Sequence, residues 1–119
     1  MSFAAAEACD AVARVVAVVP DLMLASRVEA TLAGAGHEVT LASGHGAEPS
    51  ADADLIVADV DEVDPASVVM PGKPVLGFYR HTDPEKRRRA EAAGVDLVVP
   101  RSRLARELPE LVERLLRDA

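Results

Sequence analysis

Cysteine is almost absent: Cys9 stands alone in 119 residues. That excludes an internal disulfide and any site built from several thiolates, and it suits a reducing compartment, so a cytoplasmic protein is expected. Tryptophan is missing and aromatics make up 3% of the chain, although half of it is hydrophobic. The core must therefore be built from Val, Leu and Ala, a composition better suited to helices packed closely on a parallel sheet than to an all-β sandwich. Positive charge is also short, with 13 Lys and Arg against 20 Asp and Glu and a net charge of −7. An acidic chain of this kind argues against a general nucleic-acid surface or an anionic membrane surface as partner. No apolar run has the length of a membrane span. The opening stretch MSFAAAEACDAVA is Ala-rich, but it carries Glu7 and Asp10 where a signal peptide carries basic residues. Residues 1–13 are expected to form a loose or helical lead-in to a single domain, residues 14–119.

What remains is an alternation of short β-branched runs and helical patterns, without internal repeats or low-complexity linkers. RVVAVV (14–19) reads as a strand closed by Pro20. From Asp21 the period changes, with Leu22, Leu24, Val28, Leu32 and Ala35 at helical spacing and Gly34 and Gly36 marking the end. HEVTLAS (37–43) alternates with period two, as an edge strand would, and residues 44–53 read as a loop. DLIVADV (54–60) and KPVLGFY (73–79) are continuous apolar runs, the mark of central strands covered on both faces. TDPEKRRRAEAAG predicts a helix with Thr82 or Asp83 as N-cap, Pro84 at the first position and Gly94 at the end. VDLVV (95–99) supplies the last strand. ELPELVERLLRDA predicts an amphipathic helix with Pro109 in its first turn, and SRLARE before it a separate turn. The crossover between the third and fourth strands is cut down, since Pro65, Pro71 and Gly72 leave room for only a short helix such as 65–70. The sum is an α/β fold with a five-stranded parallel sheet and right-handed crossovers.

In such a sheet, ligands bind at the carboxyl ends of the strands. The strand ends here carry Val19-Pro20-Asp21, Asp59 to Asp61, Tyr79-Arg80-His81 and Pro100-Arg101-Ser102. DLIVAD ending at Asp59, KPVLGFY and AEAAGVDLVVPR together make residues 14–117 resemble the receiver domain of bacterial response regulators. That resemblance implies a flavodoxin-like three-layer fold with strand order 2-1-3-4-5. It also implies that Asp59, closing the third strand, stands at the phosphate-acceptor position. In that family two acids after the first strand hold Mg²⁺, a Thr or Ser ends the fourth strand and a Lys ends the fifth. Here the acid pair falls on Val19 and Pro20, with Asp21 one place further on. Tyr79 stands at the hydroxyl position, Arg101 at the lysine position and Ser102 where a proline is expected.

Phosphoryl transfer to a carboxylate brings two anions together and depends on a divalent cation and a positioned ammonium. By residue type only the acceptor is kept, so the chain reads as a degenerate, stand-alone receiver: a signalling or interaction module and not an enzyme, with no cofactor. Asp59 is then a strand-end remnant paired with Arg101. The alternative keeps the chemistry, with Asp21 and Asp59 holding Mg²⁺ and Asp21, Asp61, Tyr79 and Arg101 lining the pocket. A second alternative is a small-ligand or nucleotide binder in the same strand-end crevice, although GHG (44–46) lacks the spacing of a phosphate loop and reads as a turn. Asp61, Glu62 and Asp64 lack the Ca²⁺-loop pattern and read as a solvated acidic loop. His37, His45 and His81 stand alone in sequence, with His81 placed to sense pH beside the pocket. KRRR (86–89) is the one dense basic run. The resemblance implies a partner or homodimer face made by the family's fourth helix, fifth strand and fifth helix, here led by Arg87, Arg88, Arg101 and Arg106.

Overall fold

A computed structural model describes residues 13–42, 53–69, 72–80 and 83–118. The expected lead-in (apart from Ala13), most of the 44–53 loop, His45 and His81 lie outside the described residues. The elements run β1 (Arg14–Val18), α1 (Leu22–Gly34), β2 (Glu38–Ala42), β3 (Leu55–Asp59), α2 (Pro65–Val68), β4 (Val75–Tyr79), α3 (Pro84–Ala93), β5 (Leu97–Pro100) and α4 (Arg101–Asp118). All strand pairs are parallel and the spatial order is β2-β1-β3-β4-β5. This is the flavodoxin-like order that the resemblance to receivers implied.

Burial explains the order. Every residue of β3 and of β4 is buried, which requires layers on both faces. Side chains alternate along each strand. Val15, Ala17, Leu55, Val57, Leu76, Phe78 and Val99 enter one core cluster, with Leu24, Val28 and Leu32 of α1 and Leu104, Leu108, Leu111 and Val112 of α4. Val16, Val18, Ile56, Ala58, Val75, Tyr79 and Val98 enter the other, with Val68 of α2 and Ala90 of α3. Each fully buried Val, Leu or Ile contributes about 1.5–3 kcal/mol. Edge strand β2 is largely exposed: Val39 and Ala42 are half-buried, but Leu41 is exposed, so the period-two burial expected of it is broken at Leu41. His37, buried at 6% exposure, accepts the Ala13 N–H at Nδ1 (3.0 Å) and ties the start of β1 to the start of β2.

Caps set the helix ends. Asp21 accepts from the Met23 and Leu24 N–H groups, and Asp83 does the same for Glu85 and Lys86, with Pro84 in the first turn. Gly94 ends α3 at φ 112°, a left-handed position that glycine takes without strain.

Three expectations are corrected. Leu22 is 79% exposed and Ala35 is the exposed C-cap, so the buried stripe of α1 is Leu24, Ala25, Val28 and Leu32. The short helix after β3 ends at Val68, because Val69 turns extended (ψ 130°). The last helix is one continuous element from Arg101, with Pro109 inside it. Pro109 forfeits one backbone bond to Ala105 and strains that turn, at about 3 kcal/mol. Leu104 and Leu108, at 1% and 3% exposure, extend the buried stripe of Leu111, Val112 and Leu115 back across the proline. Burying that pair offsets the cost at about 1.5–3 kcal/mol each.

Candidate functional site

The carboxyl ends of β1, β3, β4 and β5 meet along one edge of the sheet. Asp59 closes β3 there, opposite Phe78 in the β4 register, and is 6% exposed. Its Oδ1 accepts the Asp61 N–H at 3.0 Å, and its carbonyl accepts the N–H groups of Glu62 (3.2 Å) and Val63 (2.9 Å). A turn thus folds back over the strand end and holds Asp59 in place. Burial pushes the Asp59 carboxyl above the usual range; the Asp61 N–H opposes that, and the charges of Asp61 and Glu62 reinforce it.

Asp61 is the hub. Its Oδ1 receives the Lys86 ammonium at 2.8 Å, and its Oδ2 accepts the Arg80 N–H. The Lys86 ammonium is raised above its ordinary range, first by that bond to Asp61. Lys86 lies one turn into α3 because Asp83 and Pro84 start the helix at the sheet edge. The sequence pattern placed it only within a basic run, and the N-cap was the signal that would have brought it to the site.

Asp21 lies apart from this hub. It caps α1, and its Oδ2 is 3.9 Å from a guanidinium nitrogen of Arg80 and equally far from one of Arg101. The bond from the Leu24 N–H does most to hold the Asp21 carboxyl low, with Met23, Arg101 and Arg80 adding to it. Arg101 therefore turns to Asp21, where the sequence had paired it with Asp59. The reason is chain geometry: α4 starts at Arg101, directly after β5, and faces the first turn of α1. Tyr79 is 8% exposed and packs in the cluster with Val60, Ala90 and Val95, so its ring is committed to the core.

Along the strand ends, three carboxylates (Asp21, Asp59, Asp61) stand among three cations (Arg80, Lys86, Arg101). Among the described residues, no group of three or more His, Cys, Asp or Glu comes together. Mg²⁺ takes near-octahedral oxygen ligation at about 2.0–2.1 Å. Here Asp61 is taken by an ammonium and Asp21 faces two guanidiniums, so the residues present do not fit that ion.

Strand order, buried central strands and an aspartate closing β3 invite comparison with solved structures. The chemotaxis protein CheY4 of Vibrio cholerae superposes with TM-score 0.71 at 24% identity, over 87% of this chain and 98% of that one. The fold is that of a response-regulator receiver domain. A CheY-like receiver domain from Methanospirillum hungatei JF-1 matches with TM-score 0.76 at 17% identity, over 90% and 95%. The non-phosphorylated HemR receiver domain of Leptospira biflexa matches with TM-score 0.65 at 18% identity, over 87% and 94%. No protein-family model matches the chain, and no curated protein does. The likeness to receivers is one of fold; the chemistry must be read from the residues.

The arginines of the expected partner face divide into two groups. Arg87 pairs with Glu91 at 3.3 Å, Arg103 with Glu107 at 3.4 Å and Arg101 with Asp21. Arg88 on α3 and Arg106 on α4 are exposed and make no ion pair among the described residues. The two helices flank edge strand β5 on opposite sheet faces. No described helix is long and apolar enough to cross a membrane.

Proposed function

We propose that this domain is a signalling module that acts through protein–protein contacts and has lost most of the phosphoryl-transfer machinery of receivers. The observation that carries this reading is the pairing at the strand ends. Lys86, Arg80 and Arg101 already answer the acids that a metal would otherwise bridge. An acyl phosphate on Asp59 would add negative charge to a buried carboxylate flanked by Asp61 and Glu62, where Lys86 is already bonded to Asp61.

Contacts would run through the α3–β5–α4 face. Arg88 and Arg106 supply guanidiniums there that make no ion pair among the described residues, on a chain whose net charge is −7. That local sign favours an acidic surface, on another protein or on a second copy of this chain. Charge pairing at a rim governs encounter and salt dependence more than depth of binding, so the association should weaken with added salt.

The test is association state by sedimentation and affinity capture at low and physiological salt, on wild type and on Arg88→Glu/Arg106→Glu. Loss of a salt-sensitive association in the double variant supports the reading. Association indifferent to both the variant and salt would rule out this face.

A further inference from the structure

Beside the strand-end site, and separate from the arginine face, a cleft of about 670 Å³ opens between α2 and α3. Small-molecule sites span about 300–1,000 Å³. Its origin is visible in the chain. α2 is a single turn of four residues, and α3 offers Ala92 and Ala93 to the space, where larger side chains would have filled it. Val60, Val63 and Pro65 complete an apolar lining.

The two lips carry opposite charge. On the loop side stand Asp61, Glu62 and Asp64; on the helix side stand Lys86 and Arg89. Lys86 and Asp61 are spent on each other, and Asp64 caps α2 by accepting the Ala66 N–H at 3.1 Å. The side chains of Glu62 and Arg89 make no hydrogen bond or ion pair among the described residues. A cleft of mixed apolar and charged lining is thus flanked by one anion and one cation that are uncommitted among the described residues.

We propose that this cleft binds a small zwitterion with an apolar body: an apolar amino acid or a short apolar peptide. Its carboxylate meets Arg89, its ammonium meets Glu62, and its side chain covers Val63 and Ala93. A ligand with only one charge would leave the opposite lip desolvated and unpaired, which selects against it. A guanidinium takes a carboxylate through two parallel bonds, so Arg89 suits the acid end. Val60 and Asp61 line the cleft; Val60 follows Asp59 in sequence and the Asp61 N–H bonds to Asp59 Oδ1, so an occupant touches the same turn that holds the strand end.

The test is calorimetric titration and thermal shift of the full chain with L-leucine and leucyl-leucine, beside leucinamide and N-acetylleucine, which lack one charge each. Saturable binding of a zwitterion, with both single-charge analogues weaker, is expected. Arg89→Glu and Glu62→Lys should each weaken it about tenfold or more, and Ala93→Leu, which intrudes on the apolar part of the cleft, should weaken it too. Circular dichroism confirms that each variant is folded, and the milder Glu62→Gln reads the ammonium contact without reversing charge. Failure of both zwitterions to bind would overturn the proposal. So would affinity unchanged by Ala93→Leu, or equal binding by the single-charge analogues. Arg88 and Arg106 take no part in the cleft, so this outcome is independent of the association test.

Discussion

Gly77 on β4 is where the sheet and the candidate site depend on one missing methyl group. A Cβ at that position would lie 2.9 Å from Val60 Cγ1 and 3.1 Å from Val95 Cγ1. Both valines are buried, at 6% and 4% exposure, and a β-branched side chain has little freedom at χ1 to swing away. Gly77→Ala therefore overpacks the cluster, at about 1–3 kcal/mol. The lower entropy of the unfolded alanine chain returns about 0.4–1 kcal/mol. A net loss of about 1–2 kcal/mol is expected from these two effects. Val60→Ala alone removes two carbons from the core and should cost about 2 kcal/mol. In the double variant the closest clash is gone, so its cost should fall short of the sum by about 1 kcal/mol or more. Urea unfolding of the wild type, both single variants and the double variant gives that coupling directly. Val60 lies between Asp59 and Asp61, so the Asp61 amide resonance should move in Gly77→Ala as its bond to Asp59 Oδ1 is disturbed. A neutral Gly77→Ala with strictly additive energies would refute the account of how β4 seats the turn after β3.

Pro109→Ala should stabilise the chain by up to about 3 kcal/mol, since it restores a bond in the continuous helix; a loss of stability in urea unfolding would show that the proline ends a turn there after all. His37→Phe should cost about 1–3 kcal/mol by leaving the buried Ala13 N–H without its acceptor, and an unchanged urea midpoint would contradict that. The folded state raises the Asp59 carboxyl above its ordinary value, so folding favours the neutral form. The stability contribution is present below the unfolded value of 3.8 and is lost as pH rises through the folded value. Asp59→Asn should accordingly unfold at higher urea than wild type at pH 7, with the difference closing at acid pH. A variant less stable than wild type at pH 7 would reverse that sign.

The strands and helices were legible because their signals are local, while the strand order came from the resemblance to receivers. DLIVADV and KPVLGFY are apolar without a break, and only a doubly covered strand tolerates that. Asp83, Pro84 and Gly94 fix both ends of α3 from within one short stretch. Leu22 misled, because helical spacing cannot say that the residue next to an N-cap points outward. Pro109 misled in the opposite sense: its local penalty is plain in sequence, while the burial of Leu104 and Leu108 that offsets it requires α1 and the sheet to be in place. The candidate site was half legible. Asp59, Asp21, Asp61 and Arg101 were identified by their positions at strand ends, but which cation meets which acid depends on contacts far apart in the chain. Lys86 reaches Asp61 across 25 positions, and Arg101 meets Asp21 from the opposite end of the chain. No spacing rule carries that information.

We propose that Asp59 keeps an acceptor's place without an acceptor's chemistry. Intact-mass measurement after incubation with acetyl phosphate and Mg²⁺, run beside Asp59→Ala and a phosphorylatable receiver as positive control, tests it most directly. The account predicts no phosphate adduct on the wild type while the control is modified. A metal-dependent adduct on the wild type that Asp59→Ala lacks would contradict it, and would mean that Lys86, Arg80 and Arg101 release their acids to a cation.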